Sequence, residues 1–351
     1  MAKPVEFFLS FISIVAFTGF LLYADNHFND YTLRIINLVA INAILAISLN
    51  LIYGFTGMLS LGHAGFIAIG AYTCAIFLLS PEQKEMMWIL EPIADPLRHM
   101  QLPFFAAVIV SGLCAAVIGL LIAFPVLRLG GDYLAIATLG FAEIIRIVIV
   151  NATSLTNGAL GIKGIPQSAT LWWNYGWLAF TVFFISFLLR SNTGNVLRAV
   201  RDDEIAAETM GINTFFYRIM SFTIGAFFAG IGGALMAALI SSIDPKMFSF
   251  LLTFNILMIV VAGGLGSITG SIIGSLIITV ALEWFRVIES SLDLGFVSIP
   301  GIPGLRMVIF SLLLLVIILF WRKGLLGQQE FSWSKIYYFL TKRKILDKEK
   351  P

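Results

Sequence analysis

The chain has 351 residues, of which 59% are hydrophobic and 12% charged, and its formal net charge is +2. Soluble domains carry about 25% charged residues, so this composition excludes an ordinary soluble protein and indicates an all-α polytopic membrane protein. The two cysteines, Cys74 and Cys114, both lie in apolar runs, which argues against a disulfide framework or a cysteine metal site.

Apolar runs of membrane-crossing length recur along the chain, and we predict about ten transmembrane helices, since each crossing needs about 20 residues. The first run, 5–23, is predicted to be a retained helix rather than a cleaved signal, because Leu22 stands where cleavage requires a small residue. The run 250–263 is short for a crossing and is predicted to be half of a broken helix. The candidate spans are 5–23, 32–53, 57–80, 103–127, 133–152, 172–190, 216–241, 250–263, 267–288 and 303–321.

Lysines and arginines predict the orientation of the chain. The segment after Trp321 is rich in both, which places the C-terminus in the cytoplasm by the positive-inside rule. Counting back through an even number of spans places the N-terminus and the loop at about 191–215 on the same side, and the acidic loop 81–102 outside. The chain is therefore divided into a transmembrane domain, 1–325, and a basic cytoplasmic tail, 326–351.

Two glycine-rich stretches interrupt the apolar runs, GFTGMLSLGHAG at 54–65 and GGLGSITGSIIG at 263–274. Such clusters break helices within a membrane, and the freed backbone groups then face a cavity. A helix N-terminus in such a break suits a carboxylate. The alternative is that these small residues only permit close helix packing. The stretches fall in opposite halves of the chain, which suggests an internal repeat. The substrate-pathway candidates here are Gly57, Ser60, His63, Gly264 and Ser267.

Two ion pairs are predicted within membrane spans. Glu143 and Arg146 stand three residues apart, and so do Glu283 and Arg286, so that each pair shares a helix face and can neutralise itself. A charge at mid-membrane costs about 3 kcal/mol, which makes Glu143 and Arg146 further candidates for the substrate pathway. The alternative is a structural pair, formed within the chain or against a second membrane subunit.

The stretch 198–211, RAVRDDEIAAETMG, is a charged, helix-favouring island between two apolar runs. Its charges cannot lie in hydrocarbon, so the segment must lie in water. Ala206, Ala207 and Gly211 have the small-residue spacing that lets a short helix lie flat against another protein. The alternative is an ordinary solvated loop without a partner.

Five segments together resemble the LivM-type permease subunit of branched-chain amino-acid ABC importers, and the similarity runs from about residue 35 to 322. This resemblance implies an importer in a bacterial inner membrane. Its other parts would be a second, LivH-type permease, two cytoplasmic ATPase subunits that hold ATP and Mg, and a periplasmic binding protein. Leucine, isoleucine and valine would be the substrates. The segments are Leu49–Tyr72, Gly131–Arg146, Asn157–Pro166, Arg198–Ile212 and Gly263–Ile277.

The resemblance also implies that the loop 191–215 couples the membrane subunit to the ATPase. Ala206, Ala207 and Gly211 match the two alanines and the glycine of the family's coupling motif, whereas its leading glutamate is replaced by Ile205. The coupling residues carried over are Arg201, Asp202, Asp203, Glu204, Ala206, Ala207, Glu208 and Gly211.

Other functions are weighed against this one. A urea or short-chain amide permease would have the same architecture, and a secondary transporter could be driven by protonation of Glu143. An enzyme is disfavoured, because the buried titratable groups are confined to the two ion pairs and His63. The sequence has no Walker A motif and no metal-binding pattern. We therefore expect no catalytic residue, no cofactor or metal on this chain, and contacts with lipid but not with nucleic acid.

Overall fold

The computed structural model describes residues 3–88 and 91–285, together with short pieces at 292–293, 298–299, 304, 308–309, 311–312, 315, 324–327 and 329–330. This part is almost entirely helical, which confirms the predicted all-α polytopic membrane protein. The helices are α1 Lys3–His27, α2 Asp30–Asn50, α3 His63–Leu78, α4 Pro81–Met87, α5 Asp95–Arg98, α6 Phe104–Val126, α7 Asp132–Asn151, α8 Thr153–Thr156, α9 Leu171–Arg190, α10 Asn192–Asp202, α11 Glu204–Thr209, α12 Thr214–Ile240, α13 Phe250–Gly263 and α14 Ile268–Trp284. Two antiparallel strand pairs join β1 Ile162–Lys163 to β2 Ser242–Ile243 and β3 Leu292–Asp293 to β4 Ser298–Ile299.

Five helices are long and apolar enough to cross a membrane, namely α2 with its extension to Phe55, α6, α7, α9 and α12. The pairs α3–α4 and α13–α14 also qualify as broken spans, bent by 116° and 119°. The described part of the chain thus holds up to seven spans on this measure, fewer than the ten predicted. The predicted span 303–321, Arg286 and the tail 326–351 fall outside the described residues, except at the short pieces given above.

The core forms around α12, which packs against α2, α3 and α6. Side chains on α12 such as Phe222 and Phe228 are fully buried. Close approach of α3 and α12 depends on glycine, because a Cβ atom added to Gly70 would lie 2.1 Å from the carbonyl oxygen of Gly230. Small residues commonly bring membrane helices into such contact.

Both glycine-rich stretches break helices, as predicted. A π-helical turn, Leu51–Phe55, ends α2, and α3 begins at His63 rather than at residue 57, so the predicted start of that span is wrong. The segment between them is irregular because its glycines bend the backbone, with φ +78° at Gly57. The short run 250–263 is one arm of a broken helix, as the bend between α13 and α14 confirms. The internal repeat stays a prediction.

The connection 81–102 is folded rather than extended, because a buried lysine closes it. Lys84 is fully buried and donates a hydrogen bond from Nζ to the carbonyl oxygen of Leu97 at 2.8 Å. An ion pair of 2.6 Å joins Arg98 to Glu85. These contacts hold α4 and α5 together over the ends of the longer helices.

Candidate functional site

The charged stretch forms two short helices, α10 and α11, that connect α9 to α12. Asp203 separates them with extended backbone, and its carboxylate accepts a hydrogen bond from Ala206 N at 3.0 Å, which caps α11. Gly211 ends α11 with φ +83°, a conformation that favours glycine. Asn213 then caps α12 by accepting from Phe216 N at 3.1 Å. The segment therefore has a defined shape, unlike an unstructured solvated loop.

One side of α11 is fixed to the rest of the chain. Glu204 forms an ion pair of 2.6 Å with Arg218 of α12. The carboxylate of Glu208 accepts a hydrogen bond from the Thr214 hydroxyl at 2.7 Å. Ala207 is only 4% exposed. Of the two alanines in the motif, Ala207 thus packs inward and cannot contact another protein.

Two large apolar side chains, one on α11 and one directly after it, are exposed. Ile205 is 76% exposed and Met210 is 82% exposed, and Ala206 lies beside them. Since the flanking charges keep this segment out of the hydrocarbon, these apolar side chains face water unless a protein covers them. This surface, made of Ile205, Ala206 and Met210, is called the docking face below.

Arg201 joins α10 to the broken end of α2. Its Nη1 donates to the carbonyl oxygen of Gly54 at 3.0 Å, and its Nε donates to Asp202 at 2.9 Å. A Cβ atom on Gly57 would lie 3.0 Å from Cγ of Arg201. The structure thus brings a predicted coupling residue, Arg201, against a predicted pathway residue, Gly57, a contact that the sequence did not indicate.

Asn50, which was not predicted, connects α2 to the second break. Its Nδ2 donates to Ser267 O at 2.9 Å and to Ser271 Oγ at 2.8 Å, and its Oδ1 accepts from Gly266 N at 2.9 Å. The side chain is fully buried, where an unpaired amide would be costly. An asparagine within the apolar run of α2 was the signal in the sequence. Asn50 and Gly54 lie one turn apart, so the contacts of α2 with the α13–α14 break and with α10 are adjacent.

The N-terminus of α14 already holds a carboxylate from this chain. Oε1 of Glu330 accepts from Ile268 N at 2.7 Å, and Oε2 accepts from the Thr269 hydroxyl at 2.6 Å. Ser267 is fully buried and donates from Oγ to Gln329 O at 3.0 Å. A Cβ atom on Gly264 would lie 2.5 Å from the carbonyl oxygen of Gly327. This helix N-terminus thus binds a carboxylate of the chain itself, and residues 324, 327 and 329 lie against Gly264 and Ser267.

A cavity of about 330 Å³ lies beside this carboxylate. Its walls come from the end of α9, from α10 and from the α13–α14 break. Both basic side chains and the carboxylate of Glu330 line it. The lining includes Arg190, Arg198, Arg201, Phe55, Gly266 and Glu330.

The first break is a buried polar junction of four helices. His63 is fully buried, and its Nε2 lies 2.8 Å from the Ser48 hydroxyl of α2. The backbone N–H of Leu61 donates to Thr138 of α7 at 3.0 Å. Similarly, Ala64 N donates to Thr253 Oγ1 of α13 at 2.9 Å. Ser60 is buried beside them, with 1% exposed. Thus Ser60 and His63 pack between helices and do not face an open channel in this conformation.

The ion pair of α7 is formed by two side chains that are partly or largely exposed. Arg146 bonds to Glu143 through Nε at 2.9 Å, and the two side chains are 29% and 47% exposed. Ala142, on another side of α7, faces α3, since a Cβ atom on Gly65 would lie 3.1 Å from its Cα. In the second predicted pair, Glu283 accepts a hydrogen bond from the Tyr31 hydroxyl at 2.9 Å. Its predicted partner, Arg286, lies outside the described residues.

Comparisons with known proteins identify relatives along most of the chain. The family model described as "Branched-chain amino acid transport system / permease component" matches residues 31–321. The high-affinity branched-chain amino acid transport system permease protein LivM of Escherichia coli K12 is 36% identical over 290 residues, which is 73% of this chain and 64% of that protein. The LivM protein of Salmonella typhimurium is 35% identical over 287 residues, 72% and 63% of the two chains. The LivH permease of Salmonella typhimurium is 25% identical over 332 residues, 89% and 97% of the two chains. The chain thus spans just under two-thirds of the length of these LivM relatives.

Proposed function

This chain belongs to the family of branched-chain amino acid transport permeases, and we propose that it is a membrane subunit of an ATP-driven importer of leucine, isoleucine and valine. It would work in a bacterial inner membrane with both termini in the cytoplasm. Its partners would be a second permease, two ATPase subunits that hold ATP and Mg, and a periplasmic binding protein. Residues 1–325 would form the permease domain and 326–351 a cytoplasmic tail.

The docking face is the observation that carries this proposal. A short helix that is capped at its start, ended by a glycine and tied to α12 presents two apolar side chains to water. Such a face suits a groove in an ATPase subunit. The flanking charges of Asp202 and Asp203 would set specificity and the rate of encounter. Coupling requires that this helix also contact the moving parts of the membrane bundle.

Arg201 and Asn50 supply that contact. When ATP binding closes the ATPase subunits, α10 and α11 move with them, and Arg201 transmits the movement to the end of α2. Asn50 transmits it from α2 to the α13–α14 break. Nucleotide can drive such a change only by binding one of the two states more tightly.

The two breaks are the proposed substrate pathway. In the described conformation Glu330 occupies the N-terminus of α14, so a substrate carboxylate could bind there only after Glu330 moves away. Gly57, Ser60, His63, Gly264 and Ser267 would then border the passage. The part of Glu143 and Arg146 in this passage stays a prediction.

A reconstituted uptake assay tests the proposed function. Proteoliposomes would contain this chain, its partner permease and both ATPases, with the binding protein and labelled leucine outside. We expect ATP-dependent uptake that is lost when Ile205 and Met210 of the docking face are both changed to serine. In the matched control, two exposed methionines on the proposed opposite side of the membrane are changed to serine. They are Met86 and Met100, which are 78% and 51% exposed.

The outcomes separate the alternatives. The control pair should keep at least half of the wild-type uptake. Uptake of urea in place of leucine would retain the architecture and change the substrate. Uptake that is indifferent to ATP and to the docking face would overturn the proposal.

A further inference from the structure

Of the long helices described, α7 is the one least covered by the rest of the chain. Only 22% of its 18-residue apolar stretch is buried, the lowest share among the five single-helix spans described. Tyr133, Ile136, Gly140, Glu143 and Ile147 recur every three or four residues and so form one stripe along the helix. Ile136 is 66% and Ile147 49% exposed. Within the described residues, a Cβ atom on Gly140 would meet no atom within 4 Å, so the stripe has a notch at its centre.

Charge makes this stripe a poor surface for lipid. Glu143 lies about 16 Å along α7 from its start at ~1.5 Å per residue, near the middle of a hydrocarbon layer of about 30 Å. Within the described part of the chain, its bonds to Arg146 use Oε1 of the carboxylate with Nε and Nη2 of the guanidinium. Oε2 and Nη1 are left for other partners, and acyl chains cannot bond to them.

We infer that this stripe of α7 is the contact surface for the second permease subunit, whose polar groups bond to Glu143 and Arg146. The inference rests on the proposed function. The notch at Gly140 lets a partner helix approach closely, as small residues do in membranes. A second permease is the fitting occupant because one organism, Salmonella typhimurium, has both a LivM and a LivH relative of this chain. The two are named as permeases of the same kind of transport system.

The exposed face of α9 provides an internal comparison. It carries Phe183 and Phe187, which are 71% and 70% exposed, and it also has an open glycine, Gly176. These exposed positions are apolar or small, so lipid can cover them without an unpaired charge. The two faces therefore differ in chemistry, although both are exposed.

Photo-crosslinking in the assembled complex tests the inference. A benzophenone amino acid would replace Ile136 or Ile147 on α7, and Phe183 or Phe187 on α9 as controls. The second permease would carry its own tag, and all subunits would be expressed together. We expect a covalent adduct of the two permeases from the α7 positions, at least tenfold more abundant than from the α9 positions. An adduct with a second copy of this chain, or labelling of lipid alone from α7, would overturn the inference.

A matched pair of substitutions provides a second readout. Gly140→Trp fills the notch on α7, and Gly176→Trp adds the same side chain to the open face of α9. We expect Gly140→Trp to lower co-purification of the second permease at least tenfold, and Gly176→Trp to leave it within twofold of wild type. Equal recovery with both variants would place the interface elsewhere, while the proposed function would stand. If the wild-type chain recovers neither the second permease nor the ATPases, the proposed function itself fails.

Discussion

Replacing Arg201 with glutamine should uncouple ATP hydrolysis from transport. The arginine side chain is 19% exposed and donates to the Gly54 carbonyl oxygen at 3.0 Å. A hydrogen bond from a charged group contributes about 1.5–3 kcal/mol, whereas the ion pair with the 67% exposed Asp202 contributes at most about 1 kcal/mol. Glutamine is too short to reach Gly54. When the contact forms in one transport state only, its loss shifts the equilibrium between states by about 2 kcal/mol, or about 30-fold.

The assay is the number of leucine molecules imported per ATP hydrolysed in proteoliposomes. We expect Arg201→Gln to lower this ratio at least tenfold while ATP hydrolysis continues. Asp202→Asn is the matched control, because it weakens the exposed ion pair and leaves the bond to Gly54 intact, and its ratio should stay within twofold of wild type. A wild-type ratio in Arg201→Gln would refute the role given to Gly54. Loss of the ATPase subunits from the complex would instead assign Arg201 to docking.

Three further predictions concern the core and the second break. Asn50→Ala should lower the midpoint of thermal unfolding in detergent, because it leaves the buried Gly266 N–H, which donates to Asn50, without its partner, at a cost of about 1–3 kcal/mol. Gly70→Ala should abolish folding or lower this midpoint strongly, since its Cβ would overlap a backbone carbonyl, while Gly176→Ala, which meets open space, should not. Glu330→Ala should raise the rate at which a thiol reagent labels Ser267→Cys in a chain whose native cysteines are replaced by alanine. An unchanged labelling rate would show that Glu330 does not limit access to residue 267.

The positions of the helices could largely be predicted from the sequence, because apolar runs of membrane length are a strong signal. The glycine-rich stretches correctly predicted where helices break. Their exact limits could not be predicted, since the π-helical turn at the end of α2 and the late start of α3 depend on contacts with α7, α10 and α13. The count of ten spans exceeded what the described residues contain, partly because apolar length alone cannot separate a full crossing from an arm of a bent pair. In addition, the predicted span 303–321 lies outside the described residues apart from short pieces.

Signals within the local sequence predicted the location of the segment 198–211, but they did not predict the long-range contacts at the glycine-rich breaks. The charges around residues 198–211 required an aqueous location, whereas the caps at Asp203 and Gly211 were not predicted, although both residue types favour such positions. The contact of Asn50 with Ser267 joins residues 217 positions apart, and the contact of Glu330 with Ile268 joins residues 62 positions apart. No pattern within a single segment carries such information.

The π-helical turn Leu51–Phe55 makes the length of α2 part of the contact with Arg201. Such a turn contains one more residue than an α-helical turn, so deleting a residue there would return the segment to α-helical geometry and change the direction of its carbonyl groups. The Gly54 carbonyl would then point away from α10, even though every side chain in the contact was kept. In a chimaera built from two permeases, α2 and the α10–α11 segment must therefore be exchanged together, and the number of residues in α2 must be kept.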